Sequence, residues 1–385
     1  AVQGLPAEFF LLKHLADRGM TGYHVATDDP EVPLKDLKAH HNVTFSRFPI
    51  TYTKTHVTDE ARPILETGLD VDGHRLIVLN NHWKSGASSP RHEGTRIGNG
   101  LDFRFALDAI LADNPQADVL AMGDFNTFYN AREVFADAWN RDEFAIDFTR
   151  SHGDEAGLAA GTAEGLYNLW FELPEPQRGS DLYRGRWGTL MQIMVSPGLY
   201  DGDGIQYVDN SFRVVQIEGL NTVGPWQQPF RWHFTGPAGG GFSDHFPIAA
   251  TFRVADGSPV ALDNPSTSPR GPGTLVPVDF AAIEPTRLPS ADELDRLEGG
   301  ELGKRLGEVF RVRGRLTNDQ PFTVAVRGRD YEIYAPDRKV RKLLSERQLG
   351  RRLTFVGQFG EYRGRLQFVI PHERWLDPVW LEDAE

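Results

Sequence analysis

Short apolar runs separated by polar turns predict buried strands and amphipathic helices over the first two thirds of the chain. Runs typical of buried strands occur at Val43–Phe45, Arg75–Leu79, Val119–Met122, Leu190–Val195 and Ile248–Phe252. Helical spacing of apolar residues occurs instead over Leu5–Arg18 and Ile97–Ala112. In the second helix we predict a buried stripe formed by Leu101, Phe105 and Ala109, with Ala106 and Ile110 beside it. The pattern indicates an α+β domain.

A second, smaller domain is predicted at the C-terminus. Asp256–Gly273 is rich in Pro, Ser and Gly, a composition that cannot bury a core and is typical of a linker. Beyond it, β-like segments occur at Val309–Arg315, Phe322–Val326, Tyr331–Tyr334, Leu353–Phe359 and Leu366–Ile370. Five short strands in about 80 residues predict a small all-β barrel. We therefore predict a first domain at 1–255, a linker at 256–299 and a barrel domain at 300–385.

Composition restricts the chemistry that the chain can perform. With 385 residues the chain is too long for a single ordinary hydrophobic core. Its content of 40% hydrophobic and 25% charged residues is typical of a globular protein. No apolar run approaches the roughly 18 residues needed to cross a bilayer, so no membrane span is predicted. Because the chain has no cysteine, thiolate nucleophiles, disulfides and Cys-ligated zinc are excluded. Any metal must be bound through oxygen or imidazole.

Charge is distributed unevenly along the chain. The net charge of −13 argues against a surface that binds nucleic acid all over. Residues 301–385 nevertheless carry 17 Lys or Arg against 13 Asp or Glu, whereas the first 300 residues carry 24 against 41. The C-terminal domain is therefore the basic part, and the acidic excess elsewhere is interpreted mainly as solvated surface.

Three polar clusters occur where apolar runs end, and strand ends are positions at which rigid sheets present catalytic groups. The clusters are Asn80-Asn81-His82-Trp83-Lys84-Ser85, Gly123-Asp124-Phe125-Asn126 and Ser243-Asp244-His245-Phe246-Pro247. Phosphodiester hydrolysis requires a cation for the phosphate charge, a group that activates water, and donors to the nonbridging oxygens. Any single cluster is more often structural, but the occurrence of all three favours function.

The side chains of these clusters divide that chemistry among them. Asp124 and Asp244 are the candidate ligands of a divalent cation, with Mg2+ preferred over Ca2+ or Mn2+, because hard cations prefer carboxylate oxygen. Asn126 can donate to a phosphate oxygen. His82 and His245 can transfer protons or bind a phosphate oxygen.

Two further motifs, Ser46-Arg47-Phe48-Pro49-Ile50 and Arg62-Pro63-Ile64-Leu65, complete a set that covers roughly residues 1–254. This set resembles the endonuclease/exonuclease/phosphatase superfamily, the group of deoxyribonuclease-I-like enzymes, and in particular bacterial extracellular nucleases. The resemblance implies a four-layer α/β/β/α sandwich with two packed β-sheets, followed by the small barrel. It also implies a divalent cation, DNA and/or RNA as substrate, and a secreted or periplasmic location, with no protein partner predicted.

By the same resemblance, Asp124 positions or deprotonates the attacking water and Asn126 binds phosphate. Asp244 contacts the metal, and His245 contacts the scissile phosphate. His82 acts in proton transfer or phosphate binding. Attack in line with the leaving oxygen is expected to follow.

Two positions depart from the family pattern. The family's first strand is expected before Ala1, and Gly4 stands where the next strand should carry a metal-binding Glu, for which Glu8 is a poor substitute. Met191 stands where many relatives have the Asp that orients the His of the Ser-Asp-His motif. Gln192, the next residue on that strand, should face the opposite side. The loss of two carboxylates is expected to weaken cation binding and slow catalysis.

The C-terminal domain suggests a way to hold substrate. Arginines at 311, 313 and 315 alternate on one predicted strand and should share a face. Aromatic residues accompany them at Tyr331, Tyr334, Phe359, Tyr362 and Phe368. This mixture is typical of an OB-like barrel that binds single strands, and the alternative is a barrel with core aromatics and ordinary surface charge. The candidate substrate-binding residues are Asn81, Lys84, Arg311, Arg313 and Arg315.

The sequence therefore predicts a metal-dependent phosphodiesterase, namely a nuclease that hydrolyses DNA and/or RNA through an activated water. One alternative keeps this chemistry but takes a phospholipid or a soluble phosphate ester as substrate. The other is a catalytically weakened, nucleic-acid-binding homologue, suggested by Gly4 and Met191.

Overall fold

The computed structural model describes residues 7–29, 31–32, 41–183, 186–224, 226–231, 236–237, 240–255 and 288–376. The chain divides into two compact units. The first comprises Ala1–Arg178, Thr189–Val214 and Pro247–Gly273, and the second comprises Gly179–Gly188, Val215–Phe246 and Thr274–Glu385. Because Asp256–Gly273 lies outside the described residues, the predicted linker and its boundaries stay a prediction.

The strands of the described residues are, in chain order, β1 (His24–Ala26), β2 (Thr44–Ser46), β3 (Ile50–His56), β4 (Ile64–Val71), β5 (His74–His82), β6 (Asp118–Asp124), β7 (Ser151–His152), β8 (Leu166–Asn168), β9 (Asp181–Tyr183), β10 (Arg186–Gly188), β11 (Met191–Val195), β12 (Ile205–Tyr207), β13 (Arg213–Val214), β14 (Thr222–Val223), β15 (Gln228–Pro229), β16 (Ile248–Ala249), β17 (Phe252–Val254), β18 (Val309–Asp319), β19 (Phe322–Val326), β20 (Arg329–Tyr334), β21 (Arg352–Tyr362) and β22 (Arg365–Val369). The α-helices are α1 (Ala7–Ala16), α2 (Glu93–Asp113), α3 (Ala131–Trp139), α4 (Glu155–Ala159), α5 (Gly299–Gly303) and α6 (Arg338–Ser345). Within these parts of the chain, no helix has the length and apolar character needed to cross a membrane.

The predicted strands and helices are confirmed with small shifts of their ends, except for one strand. Ile248–Phe252 was predicted as continuous, but it is split into β16 and β17. The segment changes partners at this point, because β16 pairs with β13 and β17 pairs with β12.

A mixed sheet of seven strands, in the order β3-β4-β5-β6-β11-β8-β7, forms the centre of the first unit. Its middle strands are buried on both faces, which explains the uninterrupted apolar runs such as Leu76–Leu79. β5 and β6 are parallel, while β4 and β11 run antiparallel to them on either side. The other sheets described in this unit are the pairs β1-β2, β12-β17 and β13-β16. A mixed α/β architecture is thus confirmed, and the four-layer sandwich stays a prediction.

Helix α2 packs on this sheet with a side that differs from the predicted one. Leu101 and Phe105 are 50% and 77% exposed, so the predicted stripe is wrong. The buried apolar side is formed instead by Gly100, Phe103, Ala106 and Leu107. Both sides of the helix have apolar residues at helical spacing. The close approach of the helix to the backbone of Ala145 determines which side is buried. A Cβ on Gly100 would lie 2.9 Å from the carbonyl oxygen of Ala145, so only glycine fits there without a shift.

A buried ion pair in the first turns of α2 holds the loop that follows β5. Glu93 and Arg96 are 1% and 0% exposed, with 2.6 Å between Nη2 and Oε2. The guanidinium also donates to the carbonyl oxygens of Lys84 and Ser89 at 3.5 and 3.1 Å. Glu93 Oε1 accepts from the amide of Ala145 at 2.8 Å. Because both charges have several partners, the pair can stay ionised in the interior.

The second unit contains a closed five-stranded barrel, as predicted, and its strand order is β18-β19-β20-β22-β21. Its core holds three of the predicted aromatic residues, Tyr331, Phe359 and Phe368, none more than 1% exposed. Tyr334 and Tyr362 are 42% and 53% exposed. The core alternative is therefore correct for the first three rings only.

An earlier segment of the chain completes this barrel core. Val223 of β14 is 5% exposed and belongs to the same apolar cluster, against which Trp226 and Phe230 also pack. The side-chain amide of Gln358 on β21 donates to the carbonyl oxygen of Gly307 at 3.0 Å and to Gln228 Oε1 at 3.4 Å. The second unit is therefore built from segments on both sides of residue 247.

Acidic side chains and tyrosines are buried together in the first unit. The hydroxyl of Tyr207 donates to Glu172, and that of Tyr200 donates to Asp209 at 3.2 Å. Burial raises the pKa of Glu172 to about 8, against the opposing effect of the Tyr207 hydrogen bond. Burial and the adjacent Asp209 also raise the pKa of Glu155. These carboxyl groups therefore hold protons more tightly in the folded protein.

We expect Arg96→Met to lower the free energy of unfolding by about 3–5 kcal/mol, because Glu93 is left buried without its counter-charge. Arg132→Met breaks a pair with Asp147 whose side chains are 55% and 30% exposed, and it should cost about 1 kcal/mol or less. Urea unfolding measures both variants. Equal losses would contradict the anchoring role of the buried pair.

Glu172→Gln tests the buried carboxyl cluster. The folded-state pKa of about 8 lies above the ordinary 4.5, so the stabilisation from proton binding is complete below about pH 4.5 and is lost as the pH rises toward 8. Glutamine does not titrate. The melting temperature of the variant, relative to wild type, should therefore increase from about pH 5 to about pH 9. The exposed control Glu175→Gln should show no such trend. A melting-temperature difference between Glu172→Gln and wild type that does not change with pH would contradict the raised pKa of Glu172.

Candidate active site

The parallel pairing of β5 and β6 places two predicted catalytic residues side by side. His82 is in register with Asp124, and Asn81 is in register with Gly123. The distance between His82 Nε2 and Asp124 Oδ2 is 3.5 Å, and the side chains are 33% and 13% exposed. The amide of Trp83, just past β5, donates to the carbonyl oxygen of Asp124 at 2.9 Å. The structure thus brings an imidazole and a carboxylate together at an accessible sheet edge.

Gly123 permits this close approach of the two strand ends. Its φ is +128°, and a Cβ built on it would lie 2.0 Å from the carbonyl oxygen of Asn81. That atom belongs to the backbone and cannot rotate away. A side chain at position 123 would therefore separate the strands where His82 meets Asp124.

Asn126 is held by its backbone conformation and by two hydrogen bonds. Its φ is +49°, in the left-handed region that Asn tolerates better than most residues. Its amide donates to Asp124 Oδ1 at 2.9 Å, and its side-chain nitrogen donates to the carbonyl oxygen of Trp83 at 3.2 Å. Asn126, at 5% exposed, thus lies in contact with both strand ends that carry His82 and Asp124.

A buried aromatic cluster packs beneath the sheet edge that carries His82 and Asp124. Trp83 and Phe125, the neighbours of His82 and Asp124, are fully buried. Their ring centroids lie 4.9 Å apart, and both rings contact Phe103 of α2 edge to face. Because buried side chains alternate with the polar ones, the core restricts the directions in which His82 and Asp124 can point.

The neighbouring strand β11 begins at Met191, beside the candidate site. In the β6-β11 register Met191 lies directly opposite Asp124. Gln192, which was predicted to face the side opposite to Met191, is fully buried; it accepts from Asn168 and donates to the carbonyl oxygen of Thr127, each at 2.7 Å. The sheet edge therefore has a thioether next to Asp124 where a carboxylate was expected. The other departure, Gly4, lies outside the described residues.

Asp244 and His245 belong to the second unit and are described within it. Asp244 is 57% exposed, and its Oδ2 lies 3.8 Å from the guanidinium of Arg231. The ring nitrogen Nδ1 of His245 is buried and has no hydrogen-bond partner within the described parts of the chain. The predicted position of this cluster behind a strand is wrong, because the residues precede β16 instead.

The predicted substrate contacts in the first unit differ in their surroundings. Asn81 is 1% exposed, and its amide group donates to the carbonyl oxygen of Leu79 and accepts from Trp83 Nε1, so a substrate contact is not supported for it. Lys84 Nζ lies 3.0 Å from Glu60 Oε2, and its side chain is 26% exposed. Lys84 therefore stays a candidate.

The donor set of the first unit fits a loosely held hard cation better than an enclosed one. No group of three His, Asp or Glu side chains suited to a metal occurs among the residues that the structure describes. The candidate set provides the carboxylate of Asp124 and the amide oxygen of Asn126. Mg2+ keeps several waters and can be held by one or two carboxylates together with substrate phosphate, so these residues are compatible with it.

Polar residues that were not predicted as functional fix the loop after His82. Asn99 accepts from the amide of Lys84 at 3.1 Å and donates to the carbonyl oxygen of Asp59 at 2.9 Å. Glu93, Arg96 and Asn99 are three residues apart and lie on the same side of α2 as Phe103. That spacing was available as a signal, because a polar row in line with a buried aromatic indicates an internal network.

Comparisons with known proteins found a matching family model and similar solved structures. The model for the Endonuclease/Exonuclease/phosphatase family matches residues 38–253, more than half of the chain. No curated protein matches the chain. Similar solved structures include truncated TDP2 of Caenorhabditis elegans, with 13% identity, a TM-score of 0.38 and coverage of 64% of this chain and 80% of that chain. TDP2 of D. rerio, complexed with a single-strand DNA product, has 15% identity, a TM-score of 0.41 and coverage of 65% and 83%. A family protein from Leptotrichia buccalis has 14% identity, a TM-score of 0.38 and coverage of 66% and 79%.

Gly123→Ala tests whether close strand approach holds the site together. Gly73→Ala is the matched control, because Gly73 also has a positive φ, of +91°, but open space around its Cβ position. We expect the control to cost about 1–2 kcal/mol of unfolding free energy from backbone strain alone. Gly123→Ala should cost about 1–3 kcal/mol more. Equal costs in chemical unfolding would show that the carbonyl contact with Asn81 does not matter.

Proposed function

Because the chain belongs to the endonuclease/exonuclease/phosphatase family, whose members hydrolyse phosphate esters, we propose that it is a metal-dependent nuclease acting on DNA and/or RNA. The observation that carries this proposal is the pairing of His82 with Asp124 at the end of two parallel strands, 3.5 Å apart. A carboxylate and an imidazole so placed can accept a proton from water and pass it on.

In the proposed reaction, water attacks phosphorus in line with the leaving oxygen. Asp124 orients this water and accepts its proton, and His82 binds a phosphate oxygen or returns a proton to the leaving group. Asn126 uses one N–H of its amide on the carbonyl of Trp83, so the second is left for a phosphate oxygen. A bound divalent cation, Mg2+ by donor type, supplies neutralisation of the phosphate charge.

We extend the proposal to Asp244 and His245 on the basis of their Ser-Asp-His motif. Asp244 provides a carboxylate for the cation, and His245 contacts the scissile phosphate. Nδ1 of His245 is buried without a hydrogen-bond partner within the described parts of the chain, and by the family resemblance Met191 replaces the Asp that orients this ring. This arrangement predicts a slower enzyme than one with the full set of carboxylates.

The barrel of the second unit is proposed to be OB-like and to bind the same nucleic acid. Support comes from its five-stranded closed order, with α6 between the third and fourth strands. On β18, Phe310 and Val312 point inward, so Arg311, Arg313 and Arg315 share the outer face, as predicted. A binding surface on the barrel would raise the local concentration of substrate at the acidic first unit.

A second candidate function, binding of nucleic acid with little or no turnover, is favoured by Met191. A thioether opposite Asp124 offers no oxygen to a hard cation. Phospholipid or soluble phosphate ester hydrolysis would use the same side chains, so substrate trials must separate it from nuclease activity.

We expect the purified chain to cleave plasmid, single-stranded DNA or RNA with Mg2+ or Mn2+, and EDTA to abolish cleavage. Asp124→Asn, His82→Gln and Asp244→Asn should each lower the rate by about 10²–10⁴-fold. Asp108→Asn, an exposed aspartate on α2, is the control and should retain the rate. Release of phosphorylcholine or inorganic phosphate with nucleic acid intact would assign a different substrate. Binding without turnover under every cation would assign the weakened homologue.

A further inference from the structure

Basic side chains are concentrated in one segment of the barrel in the second unit. Residues 338–352, from α6 to the start of β21, contain seven Lys or Arg and one acidic residue. Arg315 of β18 lies directly opposite Arg352 of β21 in the strand register. The carbonyl oxygen of Arg351 accepts from the amide of Leu316 at 3.1 Å, so Arg351 is adjacent to this pair. The exposed residues Arg315, Arg351 and Arg352 are called the arginine patch here.

The arginine patch has no internal neutralisation among the described residues. Some other exposed basic residues of the barrel do have carboxylate partners, namely Arg327 with Asp292 at 2.8 Å and Arg365 with Glu332 at 2.6 Å. The described ion pairs include none for the three patch residues. Like charges directly opposite on neighbouring strands destabilise a sheet. An external polyanion would remove this repulsion.

On the other side of the barrel, a basic side chain is already hydrogen-bonded to the backbone. Arg329 of β20 donates to the carbonyl oxygens of Leu294 and Leu297 at 2.9 and 3.2 Å. These carbonyls belong to the segment that precedes α5, so this segment lies over the side of the barrel that includes β20. An arginine held by backbone oxygens in this way is not available to phosphate.

The same side is also lined by acidic groups. A cavity of about 550 Å3 there is bordered by Glu298, Asp330, Glu332 and Arg365. OB-like barrels commonly bind oligonucleotides on the face of their second and third strands, which here are β19 and β20. In this barrel that face is covered in part by the chain itself and carries carboxylates that repel phosphate.

We propose that the arginine patch, on the β18-β21 side of the barrel, binds the sugar–phosphate backbone of a nucleic acid. The inference rests on the proposed function for the identity of the polymer and names the surface that holds it. Guanidinium groups bind phosphate oxygens in a bidentate manner. Phosphate contacts carry no sequence information, so binding should be independent of sequence and sensitive to salt.

Helix α6 distinguishes this surface from one that binds an anionic membrane. A basic amphipathic helix inserts its apolar side between lipids. Of the apolar residues of α6, Val340 and Leu344 are fully buried in the barrel core, and Leu343 is partly buried and packs against it. The helix therefore adds positive charge at the surface but has no apolar side to insert.

Fluorescence anisotropy with a labelled 20-nucleotide single-stranded DNA, over a series of salt concentrations, tests the proposal on the full chain. We expect the triple variant R315Q/R351Q/R352Q to lose affinity by about tenfold or more. Its slope of log K against log salt should become shallower by about 2, from about 0.7 for each lost phosphate contact. R315K/R351K/R352K should retain most of the slope.

The matched control is K304Q/R327Q/R365Q, which removes the same charge from residues that already have carboxylate partners. It should leave the slope nearly unchanged. Equal weakening by the two glutamine triples would overturn the proposal, since it would show a diffuse charge effect. So would capture of phosphatidylserine vesicles, dependent on the patch, by a protein that does not bind the oligonucleotide.

Hydrolysis of bis(p-nitrophenyl) phosphate separates this inference from the proposed function, because so small an ester needs no extended surface. Patch-dependent DNA binding without ester or DNA cleavage would support the surface and refute the nuclease. Cleavage of the ester together with DNA affinity that does not depend on the patch would support a phosphodiesterase and refute the surface.

Discussion

The parallel hydrogen bonding between β5 and β6 is the constraint on which the candidate site depends. It fixes His82 beside Asp124 without any contact between the side chains being needed for alignment. Parallel pairing requires a connection that crosses over the sheet, and α2 supplies it between the two strands. The chemistry of the site is thus set by backbone geometry first, and Gly123 is required because two backbones approach there more closely than a side chain allows.

Buried polar groups then determine how the segments beyond the strands are held. The pair Glu93–Arg96 and the amide of Asn99 bind the loop after His82 through its backbone, so a sequence change in the loop's own side chains leaves these bonds in place. Gln192 has the same role next to Thr127 on the other side of Asp124. Such groups are costly to bury unless every partner is present. The first unit therefore combines an accessible sheet edge with an interior in which buried hydrogen bonds fix the positions of the loops.

Much of the fold could be predicted because its strands are apolar on both faces and the barrel strands are separated by clear turns. The sequence did not reveal which side of α2 is buried, since Leu101 with Phe105 and Phe103 with Leu107 have equivalent helical spacing. Only the close approach at Gly100, a tertiary contact, separates them. Of the site, the neighbourhood of His82, Asp124 and Asn126 followed from strand ends. The setting of Asp244 and His245 did not, because they lie in a loop that no periodic pattern describes.

The use of Val223, Trp226 and Phe230 in the barrel core has a consequence for how the protein forms. During synthesis these residues leave the ribosome about a hundred residues before the strands they pack against, so their apolar surfaces stay uncovered until the barrel strands have been synthesised. The barrel is accordingly not a module that can be cut off or transplanted at residue 300. A chain that begins at residue 300 would lack these residues and would expose to water the part of the barrel core that they cover, so folding of the second unit is complete only after the last barrel strand has been synthesised.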